Sequence, residues 1–224
     1  MEQEFVEPIL IEEKRLVGTM ITKKPSVNAF IVASMTILFI TMMTLFYWQG
    51  PQRLTDLLPA VHQQIFQHAQ IWRAFTAVFI HADIAHLLSN AYMLWIFSFF
   101  VFGYFGFGVF PLLSFFIAGI VNVLAILTYA PEVELIGASG LVYILGGFWL
   151  TLYPLIQRQY SVVNRLMRVI GISLVIFLPS TFVPSTSYRT HAIGFGFGIL
   201  MALFYFYKNK KQIRSYEIYK ISLV

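Results

Sequence analysis

The chain has 224 residues, 58% of them hydrophobic and 11% charged, against about 25% charged in a soluble domain, so water is not its only solvent. It contains no cysteine, which excludes disulfides and cysteine-ligated metal sites. The formal net charge is +5, but the basic residues cluster beside apolar segments, which reads as membrane orientation and not as a nucleic-acid-binding face.

Taken in order, residues 1–24 begin with Glu2, Glu4, Glu7, Glu12 and Glu13 before Lys14. A secretory signal needs a basic start and an early apolar core, so this stretch is expected to be a cytosolic tail. Ala29 to Trp48 is the first long apolar run, between Lys23-Lys24 and Gly50-Pro51. About 20 apolar residues cross a ~30 Å hydrocarbon core, which predicts a first span over 27–48. Residues 49–83 are mixed, with Pro51, Arg53, Asp56, Pro59, His62, His68, Trp72 and Arg73. They predict a loop lying against the outer membrane surface.

Ile84 to Ala130 is nearly uncharged. As one helix it would be about 70 Å long, over twice the bilayer core, so it must fold back. Gly103, Gly106, Gly108 and Pro111 mark the turn and predict spans over 84–104 and 110–130. After the acidic Pro131-Glu132-Val133-Glu134, a fourth span is expected over 139–156, a fifth over 168–184 and a sixth over 190–207. The fifth is short and broken by Pro179. Residues 208–224 would be a basic cytosolic tail.

Charge supports six crossings. With the N-terminus inside, the inner segments hold Lys14, Arg15, Lys23, Lys24, Arg158, Arg165, Arg168, Lys208, Lys210, Lys211, Arg214 and Lys220, leaving Arg53, Arg73 and Arg189 outside. The positive-inside rule asks for this asymmetry, and omitting the fifth span would spoil it.

In that topology three groups of polar residues meet the outer ends of helices. Gly137-Ala138-Ser139-Gly140 precedes the fourth span, His81-Ala82-Asp83 with His86 and Asn90 opens the second, and His191 opens the sixth. Ser139 is either an ordinary helix cap or a nucleophile. His86 with Asn90 shares a helix face and is either a polar clasp between helices or part of a site. Asp83 could cap the second span, Trp72-Arg73 reads first as an interfacial anchor, and His62 and His68 read as loop residues. A serine needs a base within hydrogen-bond reach, for which histidine is the usual group, and unpaired N–H groups at a helix start can receive an oxyanion. Gly194 and Gly198 form a small-residue face that permits close helix approach, bringing His191 toward Ser139. Ionisable groups are costly in a membrane, so their gathering at one depth favours function.

Other chemistries lack their residues. The aspartates, Asp56 and Asp83, lie outside the spans, and no His-Glu-x-x-His occurs. His81 and His86 are roughly 140° apart around a helix, poor co-ligands for a metal. No acid accompanies His191, so a dyad is favoured over a triad. A transporter would show repeated halves, and none is evident.

Trp72-Arg73, His81, His86 and Asn90, Gly137-Ala138-Ser139-Gly140 with Tyr143, and His191 with Gly194 and Gly198 together resemble the rhomboid family of intramembrane serine proteases over residues 70–200. The resemblance implies an all-α polytopic membrane protein, a rhomboid-like bundle of six transmembrane helices with cytoplasmic N- and C-termini. It implies Ser139 as nucleophile and His191 as general base. His86, Asn90 and the Ser139 N–H would serve the oxyanion, with Gly137 letting the backbone pack closely. Tyr143 would pack on the His191 ring, and His81 would shape the entrance. Substrates would be transmembrane helices cut near their outer ends, with membrane lipid as the other partner. No cofactor, metal or nucleic acid is implied, and the expected location is a bacterial inner or cell membrane. Thr190 stands where the family usually has alanine, and Ile136 where some members carry glycine. The alternative within the same resemblance is a non-catalytic protein that binds transmembrane clients.

Overall fold

A chain segment in hydrocarbon must satisfy its own backbone, and helix is the form that does so within one segment. The computed structural model describes residues 12–177 and 187–223. In chain order, strand β1 (Glu12–Gly18) leads into α1 (Asn28–Gln49). The first loop folds into α2 (Gln52–Thr55), β2 (Ala60–Val61), α3 (His62–Phe66) and α4 (Trp72–Thr76). Then come α5 (Ile84–Phe105), α6 (Ser114–Ile126), β3 (Glu134–Leu135), α7 (Ser139–Ile156), α8 (Val162–Phe177), α9 (Tyr188–Ser215) and β4 (Ile218–Leu223).

Among the described residues five helices are long and apolar enough to cross a membrane: Asn28–Gln49, Ile84–Phe105, Gly108–Ile126, Ser139–Ile156 and Tyr188–Ser215. The third differs from the expected 110–130. It starts at Gly108, breaks at Phe110 where φ is −132° and ψ 131°, resumes as α6 and stops at Ile126. The expected fifth span, 168–184, is described in part. Its helix, α8, begins at Val162 and is described to Phe177, and the remainder of that expectation lies outside the described residues. The sixth runs on to Ser215 and carries Lys208, Lys210, Lys211 and Arg214 as helix, where a tail was expected to begin.

Contacts fix the helix directions. Trp95 Nε1 donates to Ser34 Oγ at 3.2 Å and Trp48 Nε1 to the His81 carbonyl at 2.8 Å, so α1 and α5 are antiparallel. Arg165 at the start of α8 donates to the Pro154 carbonyl near the end of α7 at 2.6 Å. Phe177, at the other end of α8, stacks on Tyr143 near the start of α7 at 4.7 Å. Helix α8 therefore runs back along α7. Helix α9 then runs parallel to α7, because Gly194 faces Gly140 and Gly198 faces Ile144 and Phe148.

The α7–α9 seam is closely packed through glycine. A Cβ at Gly194 would stand 2.7 Å from the Gly140 carbonyl oxygen, and one at Gly198 would overlap the Ile144 carbonyl. Buried α7 is the centre of the bundle: 72% of its apolar window is covered by protein, against 22% for α1. Helix α1 turns Phe30, Ile31, Met35, Phe39 and Met42 outward, as a lipid-facing helix must.

Two small sheets were not expected from the sequence. Antiparallel β2 and β3 join the first loop to the residues before Ser139 (Ala60 opposite Leu135). Antiparallel β1 and β4 join the two ends of the described chain (Lys14 opposite Ile221, Arg15 opposite Lys220). This second sheet lies at the opposite end of the bundle from Ser139, since Thr19 Oγ1 donates to Gln157 Oε1 at 3.2 Å and Arg158 pairs with Glu217 at 3.3 Å.

Candidate functional site

The turn Gly137-Ala138 enters α7 through Gly137 at φ 116°, a backbone conformation L side chains rarely adopt. Space demands glycine as well: a Cβ there would stand 2.7 Å from His86 Cε1 and 2.8 Å from His86 Nε2. Ala138 holds the cap position and has no side-chain acceptor, so Ser139 is the first helical residue and not the cap. It is buried, and the N–H groups of this first turn have no partner within their own helix.

His81 holds this turn in place. Ala138 N–H donates to His81 Nε2 at 3.2 Å, so that nitrogen is unprotonated. The ring proton then sits on Nδ1, 3.1 Å from Thr44 Oγ1, whose hydroxyl donates to the Phe79 carbonyl at 3.3 Å. The Gly137 N–H donates to the Ala77 carbonyl at 2.9 Å. Burial, with the neighbouring His86, pushes the His81 imidazole down to about 3 against the opposing pull of Asp83, so the ring is neutral at physiological pH, as its two hydrogen bonds require.

Asp83 caps α5, its Oδ1 accepting from the His86 N–H at 2.8 Å. One turn on, Asn90 Nδ2 donates to the His86 carbonyl at 3.0 Å. The His86 ring lies edge-on to His81, centroids 5.0 Å apart, and its Nδ1 is buried without a hydrogen-bond partner among the described residues. His86 and Asn90, paired by their spacing in the sequence, thus share one face at the Gly137 turn.

His191, in the first turn of α9, lies flat on Tyr143, centroids 3.9 Å apart and 14° from parallel. Tyr143 is one helical turn after Ser139. The parallel seam, with Gly140 against Thr190 Cγ2, puts the beginnings of α7 and α9 side by side. Ser139, His191, His86, Asn90, His81, Gly137 and Tyr143 are thus gathered at one end of the bundle. His62 packs on Phe66 instead, and His68 is exposed. Trp72 is half exposed, whereas Arg73 is buried and organises the first loop through the Gln70 side chain and the Asp56 and Pro59 carbonyls.

Two supports were missed from the sequence. One is Thr44 with Trp48, which fix His81 from α1; a threonine inside an apolar run is the available signal. The other ties the start of α9 to the end of α6. Tyr129 OH shares a hydrogen bond with Ser187 Oγ at 2.6 Å, and Ser187 Oγ shares another with Thr190 Oγ1 at 2.6 Å. Arg189 adds to it, donating to the Thr128 carbonyl and lying over the Tyr129 ring at 4.9 Å. A hydroxyl, an imidazole and a first turn of unpaired N–H donors are the group types that acyl transfer uses.

A family model described as Rhomboid domain matches residues 68–208, a range that takes in Ser139, His191, His86, Asn90, His81, Gly137 and Tyr143. No curated protein matches the chain.

Proposed function

Because the chain belongs to the rhomboid family, a family of multi-pass membrane proteins, we propose that it is an intramembrane serine endopeptidase cleaving transmembrane helices near their outer ends. Ser139 Oγ attacks the scissile carbonyl while His191 accepts its proton. The oxyanion is received by the Ser139 N–H with the side chains of His86 and Asn90. The peptide C–N bond then breaks as His191 gives that proton to the leaving amine, and water from the outer face hydrolyses the acyl-serine with His191 as base again. Tyr143 restrains the His191 ring. The observation that carries this reading is the His191 ring lying on Tyr143, one turn from Ser139, across two helices that start at the same end.

The membrane arrangement belongs to the same proposal: six crossings, with residues 1–24 and the basic C-terminal segment cytosolic and residues 49–83 against the outer surface. What supports an even number is the pairing of β1 with β4, which keeps both ends of the described chain on one side. With five long helices, the return of α8 along α7 supplies the remaining crossing. Because the chain lacks cysteine, single cysteines introduced at Leu57 and Ser222 test it directly. A membrane-impermeant maleimide should label the first from outside and the second only from inside; labelling of both from one side would refute the arrangement.

The activity test is cleavage of a generic single-span substrate in liposomes by the parent, Ser139→Ala and His191→Ala. Product from the parent and none from either variant is expected. Equal product from all three would overturn the mechanism. Binding without cleavage by the parent would leave the family's non-catalytic, client-binding role.

A further inference from the structure

Between α5, α7 and α8 lies a slot of about 520 Å³, walled by Tyr92, Phe97, Phe100, Trp149, Ile172 and Val175. Its rim faces lipid, for Tyr92 and Val175 are largely exposed. Toward the end of the bundle that carries β1 and β4 the lining turns polar, with Tyr104, Tyr153 and Gln157. Arg165 and Arg168 sit on the α8 face that continues to Gly171, Ile172 and Val175.

Among the described residues neither arginine pairs with a carboxylate. The two ion pairs among the described residues both fall on Glu217, from Arg158 and Arg214. Arg168 stacks on Tyr160 at 3.9 Å. Arg165 gives one N–H to the Pro154 carbonyl, and its Nε is buried without a hydrogen-bond partner among the described residues. An apolar slot open to lipid, with two arginines unpaired by acids among the described residues one and two turns back along α8 from Gly171, suits an anionic amphiphile.

We propose that the slot holds one acyl chain of an anionic phospholipid whose phosphate rests on Arg165 and Arg168. Basic pockets between helices on the cytoplasmic side are where anionic headgroups bind. A helix is the wrong shape for it: at about 10 Å wide and 5.4 Å per turn, each turn fills roughly 400 Å³. The slot therefore takes little more than one turn of helix, a volume nearer to that of a single hydrocarbon chain.

The test uses Trp149 in the slot wall. The full chain is placed in phosphatidylcholine vesicles containing either phosphatidylglycerol or phosphatidylcholine brominated in its tails, and Trp149 emission is taken as the difference between parent and Trp149→Phe. Brominated phosphatidylglycerol should quench at a few mole percent, and brominated phosphatidylcholine only in proportion to its abundance. The double variant Arg165→Gln/Arg168→Gln should shift the half-quenching fraction upward roughly tenfold or more. Gly171→Phe should abolish selective quenching without unfolding the protein, since a Cβ at Gly171 meets nothing within 4 Å. Equal quenching by the two lipids in the parent would overturn the proposal. So would selectivity that survives both the arginine and the Gly171 changes. Displacement of the lipid by a single-span peptide at equal mole fraction would assign the slot to a helix and overturn it too.

Discussion

The rings of Tyr143 and His191 lie face to face, 3.9 Å apart and 14° from parallel. They join helices that meet across a glycine seam. A stacked aromatic pair contributes about 0.5–1.5 kcal/mol beyond its buried area, and here it also restricts the rotation of the imidazole. Replacing Tyr143 by leucine should lower turnover roughly tenfold, counting about 1.4 kcal/mol per factor of ten, with little change in substrate affinity. Phenylalanine, which keeps the ring, should retain more activity than leucine. Steady-state cleavage rates over a range of substrate mole fractions separate the two effects.

His81 makes stability depend on pH. Its folded value of about 3 lies below the ordinary histidine value near 6.5, so between those limits the unfolded chain binds a proton that the folded chain refuses. The stabilising contribution is complete above about pH 6.5 and is lost as pH falls toward 3, at up to about 1.4 kcal/mol per pH unit. His81→Gln offers Ala138 an acceptor with no titrating group. Thermal unfolding in detergent at pH 7.5 and pH 4.5 should show a smaller drop for His81→Gln than for the parent.

The α7–α9 seam predicts opposite outcomes for two glycines on one helix. A Cβ at Gly198 would collide with the Ile144 carbonyl and lie 2.9 Å from the Phe148 nitrogen, both backbone atoms that cannot swing aside. Gly198→Ala should cost on the order of 1–3 kcal/mol. At Gly196 a Cβ meets nothing within 4 Å, so Gly196→Ala should leave the melting temperature unchanged or raise it. Melting temperatures in detergent compare the two.

Thr190 adds a hydroxyl bond beside His191. Its Oγ1 and the Ser187 Oγ are 2.6 Å apart, and Tyr129 is the next link. Losing one such bond costs about 1 kcal/mol, so Thr190→Ala should reduce cleavage severalfold. Thr190→Ser, which keeps the hydroxyl, should restore most of it. A merely structural loss would instead lower the melting temperature of both variants without separating their rates.

The parts of the molecule legible in the sequence are those where lipid leaves little choice. An apolar run such as Ala29 to Trp48 has one solution in hydrocarbon, and the start of α7 at Ser139 followed from the composition change there. Asp83 was readable as a cap because its spacing to the apolar run is local. The end of α9 was not. Lysine is a good helix former, so the change from apolar to basic at Lys208 marks departure from hydrocarbon but does not stop the helix. The bond from Ala138 to His81 spans 57 residues in sequence, and the Tyr129–Ser187–Thr190 chain joins separate helices. Neither has a periodicity to betray it. The strands β1 and β4 are short and far apart in sequence, so each alone resembles a tail.

That last pairing bears on how the molecule is made. Strand β1 precedes every described helix, yet its partner follows them all, so during synthesis it waits as an unpaired edge while the bundle assembles. Edges of that kind invite foreign strands, and contacts between distant parts of a chain form slowly. The acids Glu12 and Glu13 beside Lys14 and Arg15 make this one a poor template for strangers until Ile218–Leu223 arrives to close it.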